Sequence, residues 1–310
     1  MSITRYVGAM NDRTDAAATA PSRRNASGLR RDFALLEVLA GSTARASGGL
    51  GVLRIAELTG RDKAQVSRTL ATMAEIGLVE RDPDTLSYRL GHQLYALAAR
   101  TSEARLVHEA APALRACVAG THETTHLCVL RGGSVLTLAS ELSEHAFRGL
   151  GWQGVSTSAW RTSSGRVLIS GWSEAELRAW YRDHAADDPI VNSRPAISAG
   201  SVLPPVPAAG KALVHDIDSL LLEIARIRER GYSSVDEEFE AGVVGVSAPV
   251  IDQRGAIIAA LNVSAPKARL GEHLDAAGRY VAGIARELSA QLSQRVDSES
   301  RPRVDVSAQH

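Results

Sequence analysis

The chain has 310 residues, of which 45% are hydrophobic, and its 35 Lys and Arg balance its 35 Asp and Glu. That length supports two domains, each with its own core, and the zero formal charge argues against a protein that coats nucleic acid indiscriminately. The longest apolar runs, such as 256–261, are far too short to cross a bilayer, and the opening residues carry no apolar stretch of the secretory type, so the expected compartment is the cytoplasm.

Residues 1–28 are rich in Ala, Ser, Thr and Arg without periodicity and read as a flexible arm, with Arg23 and Arg24 in reach of phosphates. From Arg30 to Gly41 the spacing predicts an amphipathic helix with Phe33, Leu36 and Leu39 or Ala40 inward. Residues 42–51 read as a Gly/Ser/Ala loop.

Residues 53–90 are the most informative stretch. Ile55 and Leu58, then Val66, Leu70 and Met73, recur at helical spacing, with Gly60 where the first helix must stop. Asp62 suits the N-cap of the second helix, and Gln65 three residues on completes a capping box. Gly77 suits its C-terminal left-handed cap. Leu78 to Arg81, the turn Asp82-Pro83-Asp84 and Leu86 to Leu90 then form a hairpin. Two helices and a hairpin make a winged helix-turn-helix, which lays its second helix in the major groove of DNA. The polar face of that helix carries Lys63, Gln65, Ser67, Arg68 and Thr72, types that reach phosphates and base edges. Arg81 and Arg89 of the wing are placed for the DNA backbone. Charge follows the same division: residues 21–100 hold 12 basic against 8 acidic side chains, and residues 101–310 hold 21 against 25.

Residues 91–105 read as a linker helix with Leu94, Leu97 and Ala98 on one stripe. Beyond it the texture is α+β. A helix is predicted over 107–119, a hairpin over Thr125–Leu130 and Ser134–Ala139, and helices over 164–170, 173–182 and 219–230. Ser173 and Glu176 form a capping box, 183–210 is a Pro- and Ala-rich loop, and Gly231 stops the third of these helices. Val244–Ile251 and Ala256–Ser264 flank the turn Asp252–Gly255, and a last helix over 274–292 precedes a disordered tail, 293–310. Cys117 and Cys128 have no metal-ligand spacing and read as reduced thiols.

Over about 30–292 the chain resembles the IclR family of bacterial transcriptional regulators. The resemblance rests on IAELTGRDKAQVSRTLATMAEIGLVERD and SYRLG, on PALRACVAGTHETTHLCVL, on STSAWRTSSGRVLIS, and on LLLEIARIRERGYSSVDEEFEAGVVGVSAPVIDQRGAIIAALNVSAP. It implies a winged helix-turn-helix domain over 29–90, a GAF-like effector-binding domain with a central antiparallel sheet over 106–292, and assembly as a homodimer or dimer of dimers. It implies a near-palindromic double-stranded DNA operator, a small-molecule effector that controls DNA binding, and repression or activation of adjacent operons; a repressor with no cofactor or metal is the expectation here. By resemblance the effector pocket is lined by Trp160, Arg161, Thr162, Ser163, Ser164 and Gly165, by Asp236 and Val246, and by Asn262 and Ser264. The loop departs from the family pattern H-A-T-x-x-G-K, reading Trp160-Arg161-Thr162-Ser163-Ser164-Gly165-Arg166. An aromatic wall at Trp160 and a cation at Arg161 point to an aromatic or acyl carboxylate-like effector.

Two readings from other classes stand beside this one. His122-Glu123-Thr124-Thr125-His126 matches H-E-x-x-H, a metallohydrolase signature that works only on a helix, and Thr124 and Thr125 followed by a strand argue against one. A sensor acting through protein contacts is the other. Ser163 and Ser164 lack a nucleophile-elbow context, and the run Asp236, Glu237, Glu238, Glu240 reads as a solvated face apart from Asp236, so nothing favours an enzyme.

Overall fold

A computed structural model describes residues 23–187 and 207–299, which divide near Leu94 into two compact units. Most of the expected arm (1–22), the middle of the Pro- and Ala-rich loop (188–206) and the end of the expected tail (300–310) lie outside the described residues.

The first unit holds α1 (Arg23–Ala40), α2 (Ser42–Ala46), α3 (Val52–Thr59), α4 (Lys63–Glu75), β1 (Val79–Arg81) and β2 (Tyr88–Leu90). Its core gathers Leu35 and Leu39 of α1, Ile55 and Ala56 of α3, Val66, Leu70 and Met73 of α4, and Val79 and Tyr88 of the hairpin. Each such aliphatic side chain removed from water contributes about 1.5–3 kcal/mol. Gly60 adopts φ +64° and closes α3, and the Asp62 carboxylate accepts the Gln65 amide at 3.0 Å to open α4.

Several expectations change here. The helix α1 starts at Arg23, inside the expected arm, and it buries Leu35 and Leu39 while Phe33 is 57% exposed. The stretch 42–51 is partly helical, with Ala44 buried in α2. Leu58 is exposed, and Ala56 takes the inward position. Only half of the α4 capping box forms: Gln65 gives its backbone N–H, and its side chain makes no return bond.

The expected linker helix breaks in two. It ends as α5 (His92–Ala98), none of whose residues is buried. After a turn, the Thr101 hydroxyl accepts the Ala104 amide at 3.2 Å and starts α6 (Ser102–Thr121). A cap is a stronger local instruction than a continuing apolar stripe, so the helix restarts there.

The second unit contains β3 (Thr124–Arg131), β4 (Ser134–Glu141), β5 (Ser156–Ser158), α7 (Ser163–Ile169), α8 (Glu174–His184), α9 (Ile217–Arg230), β6 (Ser233–Asp236), β7 (Val243–Ile251), β8 (Ile257–Pro266), α10 (Lys267–Leu270) and α11 (Leu274–Glu299). One antiparallel sheet runs β5-β4-β3-β8-β7-β6. The short polar strand β6 is absent from the sequence-based reading, and α11 continues to Glu299 through residues expected to be tail.

Strand alternation divides the sheet into two faces. Leu127 and Val129, Val244, Val246 and Ala248, and Ala259, Leu261 and Val263 pack under α6 and α11. On the other face Cys128, Val135 and Ala260 join a second core with α7, α8 and α9. One end of that second face is polar, and α7 is held above it. The packing is close: a Cβ on Gly165 would lie 2.0 Å from the Ala159 carbonyl oxygen, so a residue without a side chain is required.

Candidate functional site

In the first unit, the buried stripe of α4 leaves Lys63, Gln65, Ser67, Arg68 and Thr72 together on the exposed side. None of these side chains is needed by the core. On the wing, the Arg81 guanidinium lies 5.6 Å from the Tyr88 ring centroid. Arg89 donates from Nε and Nη2 to Glu80 Oε2 at 3.1 and 3.0 Å, across the register pair Glu80–Arg89. Hydrogen bonds from Arg89, then His92, hold the Glu80 carboxyl below the usual carboxylate range. Arg89 is thus a fixed cation that must leave or share Glu80 to meet a phosphate, whereas Lys63 and Arg68 have no such carboxylate among the described residues.

In the second unit a cavity of about 410 Å³ lies between the polar end of the sheet and the start of α7. Its floor follows from register. His126 on β3 faces Ser140 on β4 and Asn262 on β8, and Asn262 faces Ser247 on β7. These four residues make one polar row across four strands. Thr124, Ser264 and Gly245 make the next.

The row is knitted by side chains. His126 bonds Ser140 through Nδ1 at 2.8 Å and Ser264 through Nε2 at 3.3 Å. Asn262 Nδ2 donates to Ser247 Oγ at 2.9 Å and to Ser163 Oγ of α7 at 3.2 Å, and Ser163 and Ser247 are 2.9 Å apart. Burial pushes the His126 imidazole down to about 4, so it is neutral and gives one hydrogen bond while accepting the other. Burial pushes the Cys128 thiol up to about 11 against the pull of Thr137 and Ser164, which leaves it a weak protonated donor on the cavity wall.

The rim is more apolar and carries charge. Phe147, 78% exposed, stands there, while Trp152, Phe239 and the buried Val135 and Val235 line the walls. Arg269 grips buried Glu123 with two hydrogen bonds, one from Nε and one from Nη2 to Oε2 at 2.7 Å. Beside the cavity Asp236, Glu237 and Glu238 of the acidic run are engaged rather than solvated, and Glu240 alone of the four is exposed. Lys211 and Lys267 reach Asp236 Oδ2 at 2.5 and 3.2 Å, Lys267 also takes Glu237 at 2.5 Å, and Arg166 takes buried Glu238 at 2.8 Å. Burial raises the Asp236 carboxyl, but its bonds to Lys211 and Lys267 outweigh this and hold it low.

Of the ten residues expected around an effector, Thr162, Ser163, Ser164, Asn262 and Ser264 line this cavity. The other five lie elsewhere. Trp160 is buried in the second core, its ring 5.7 Å from Tyr181 and edge-on. Arg161 stacks over Trp160 at 4.1 Å. Gly165 packs on the backbone of Ala159, Asp236 is held by its two lysines, and Val246 is buried on the opposite face of the sheet. The sequence reading gave His126 and Cys128 other roles, a metal motif and a reduced thiol, and left Phe147, Arg148 and Trp152 unremarked. The one available signal was alternation: Gly245 and Ser247, or Thr124 and His126, share the parity of polar and small residues that marks this face.

The H-E-x-x-H reading does not survive the backbone. His122 has φ +58° and ends α6, and Thr124 starts β3, so the two imidazoles do not share a helix face. Glu123 is committed to Arg269, and His126 to two serines.

Residues 28–83 match the IclR helix-turn-helix domain family, and residues 207–294 match the family of the bacterial transcriptional regulator IclR C-terminal domain. The chain is 27% identical over 259 residues to the HTH-type transcriptional regulator BhcR of Paracoccus denitrificans, covering 82% of this chain and 85% of that protein. It is 28% identical over 221 residues to the Pca regulon regulatory protein of Pseudomonas putida, covering 69% and 67%. Among solved structures it is similar to the Thermotoga maritima IclR, with TM-score 0.64 and 20% identity over 86% of this chain and 99% of that one. It is also similar to an IclR homolog from Microbacterium hydrocarbonoxydans complexed with 4-hydroxybenzoate, with TM-score 0.67 and 22% identity over 85% and 98%. At such identities the structural likenesses speak to the fold.

Proposed function

The chain belongs to the IclR family of bacterial transcriptional regulators, with a DNA-binding helix-turn-helix domain and an effector-binding C-terminal domain, and on that basis we propose which residues do the work. Lys63, Gln65, Ser67, Arg68 and Thr72 of α4 read one half-site in the major groove, while Arg81 and Arg89 hold the backbone. The observation that carries this reading is the division of α4: Val66, Leu70 and Met73 are buried, and the polar side chains stand outside the core.

The cavity beside α7 takes the effector. Ser163, Ser164, Asn262 and Ser264 supply directional hydrogen bonds and the rim supplies apolar contact, which suits a small organic molecule with a polar head. A carboxylate on an aromatic or acyl body fits this division. The 4-hydroxybenzoate held by the Microbacterium hydrocarbonoxydans protein makes that compound a sensible first probe. The protein works in the cytoplasm as a homo-oligomer on a near-palindromic operator. It acts by binding and not by catalysis, and effector binding changes the fit of paired reading helices to paired half-sites.

Fluorescence anisotropy with DNA flanking the protein's own gene tests the reading, with and without candidate effectors. Specific, salt-dependent binding that an effector shifts is the expected result. Binding to no specific sequence in any ligand state would overturn it in favour of a sensor that acts through protein contacts.

A further inference from the structure

The charged groups of the cavity are unequal, and the difference points to one of them. Arg269 is neutralised by the buried Glu123 carboxylate, which it meets with two hydrogen bonds. Glu240 is exposed at the rim, where solvent screens it. His126 is occupied by Ser140 and Ser264. Arg148 also lines the cavity, in the segment between β4 and β5. Its Nη1 donates to the His145 carbonyl at 2.7 Å, which fixes the side chain without cancelling its charge. Its Nε is sealed from solvent and has no acceptor, and no carboxylate pairs with this guanidinium among the described residues.

A buried donor of a charged group with no acceptor is costly, and an entering anion removes that cost. A planar guanidinium offers its remaining N–H groups as a fork that matches a carboxylate. Phe147 is the residue immediately before it, largely exposed at the rim, and Trp152 lines the wall four positions after it. An apolar body attached to the anion would cover both.

We propose that Arg148 is the carboxylate-binding residue of this cavity, and that the effector is an organic acid whose apolar body lies against Phe147 and Trp152. The proposal rests on the cavity being the effector site. It moves the cationic role from Arg161, which is stacked on Trp160, to a residue the cavity contains.

The test is isothermal titration of the full chain with two matched pairs: 4-hydroxybenzoate and 4-hydroxybenzamide, hexanoate and hexanamide. In at least one pair the acid should bind ten- to a hundredfold tighter than its amide. Arg148→Gln should bring that acid down to the level of its amide. If the Gln variant does not fold, as judged by circular dichroism, Arg148→Lys should still weaken the acid several-fold relative to the amide. Equal binding of acid and amide by the wild type, binding of neither acid, or wild-type affinity for the acid in the Arg148 variants would each overturn the assignment. A separate variant, Ser264→Leu, fills the cavity floor and should abolish binding of the acid. If it binds the acid unchanged, the cavity is not the effector site, and that reading fails whatever Arg148 does.

Discussion

Arg166 and Glu238 form an ion pair 2.8 Å long with side chains only 1% and 3% exposed. Arg166 Nε also donates to the Trp160 carbonyl at 2.9 Å, so one guanidinium ties the turn before α7 to the segment between β6 and β7. Both of these segments border the cavity. Glu238→Gln or Arg166→Met should destabilise the second unit by about 3–5 kcal/mol, because either leaves a buried charge without its partner. The double variant Arg166→Met with Glu238→Gln should cost much less than the two single losses together, because neither partner is then left as a lone buried charge. Urea unfolding of the three variants measures this, and additive losses would contradict a direct pair.

The N-cap of the reading helix should also be measurable. Asp62→Ala removes the acceptor of the Gln65 amide and should cost the first unit about 0.5–2 kcal/mol, whereas Asp62→Asn should keep most of it. Thermal unfolding of the first transition compares the two. Equal losses would show that charge at the helix start, and not the cap bond, is what Asp62 contributes.

On DNA, two residues of α4 should fail in different ways. Arg68→Ala should cost about 1–3 kcal/mol of operator affinity and relax preference at one base position. Lys63→Ala should weaken binding evenly across sequences and lower the salt slope by about one. Anisotropy with single-base operator variants separates the patterns. A uniform loss for Arg68→Ala would move Arg68 to the phosphates.

Acid should act through His126. Its imidazole sits at about 4 in the folded chain, below its ordinary 6.5, so the unfolded chain binds the proton more readily between those values. Stability is therefore full above about pH 6.5, falls as pH drops through that window, and levels off below about 4. The loss from this group is of the order of 3 kcal/mol. Denaturant midpoints between pH 4 and 7 should show a shallower slope in His126→Gln, and an unchanged slope would assign the acid sensitivity to other groups.

What could be read from the sequence was local. Asp62 and Gln65 are three residues apart, as are Ser173 and Glu176, whose capping box forms in full. In the turn before β8, Asp252 accepts the amides of Arg254 and Ala256 at 2.9 Å. Each of these needs only the chain within one turn. The cavity does not: Ser163 and Asn262 bond across 99 positions, and His126 and Ser264 across 138. Strand register is the sensitive quantity, since a shift of one residue reverses the face, and Val246 is one position from both Gly245 and Ser247. Trp160 misled for a different reason. A large aromatic ring looks the same in sequence whether it lines a cavity or fills a core, and only its partner Tyr181, 21 positions on, decides between them.

The distribution of primary amines gives the molecule a practical property. The chain has three lysines in all, Lys63, Lys211 and Lys267. Two of them converge on Asp236, and the hydrogen bonds that Lys267 donates to Glu237 and then to Asp236 push its ammonium above its ordinary range, which withholds the neutral amine that an acylating reagent needs. Lys63 stands exposed at the start of α4. Lys211 is half-buried and paired with Asp236, so an amine-directed dye should favour Lys63, on the helix proposed to read DNA, over the two paired lysines.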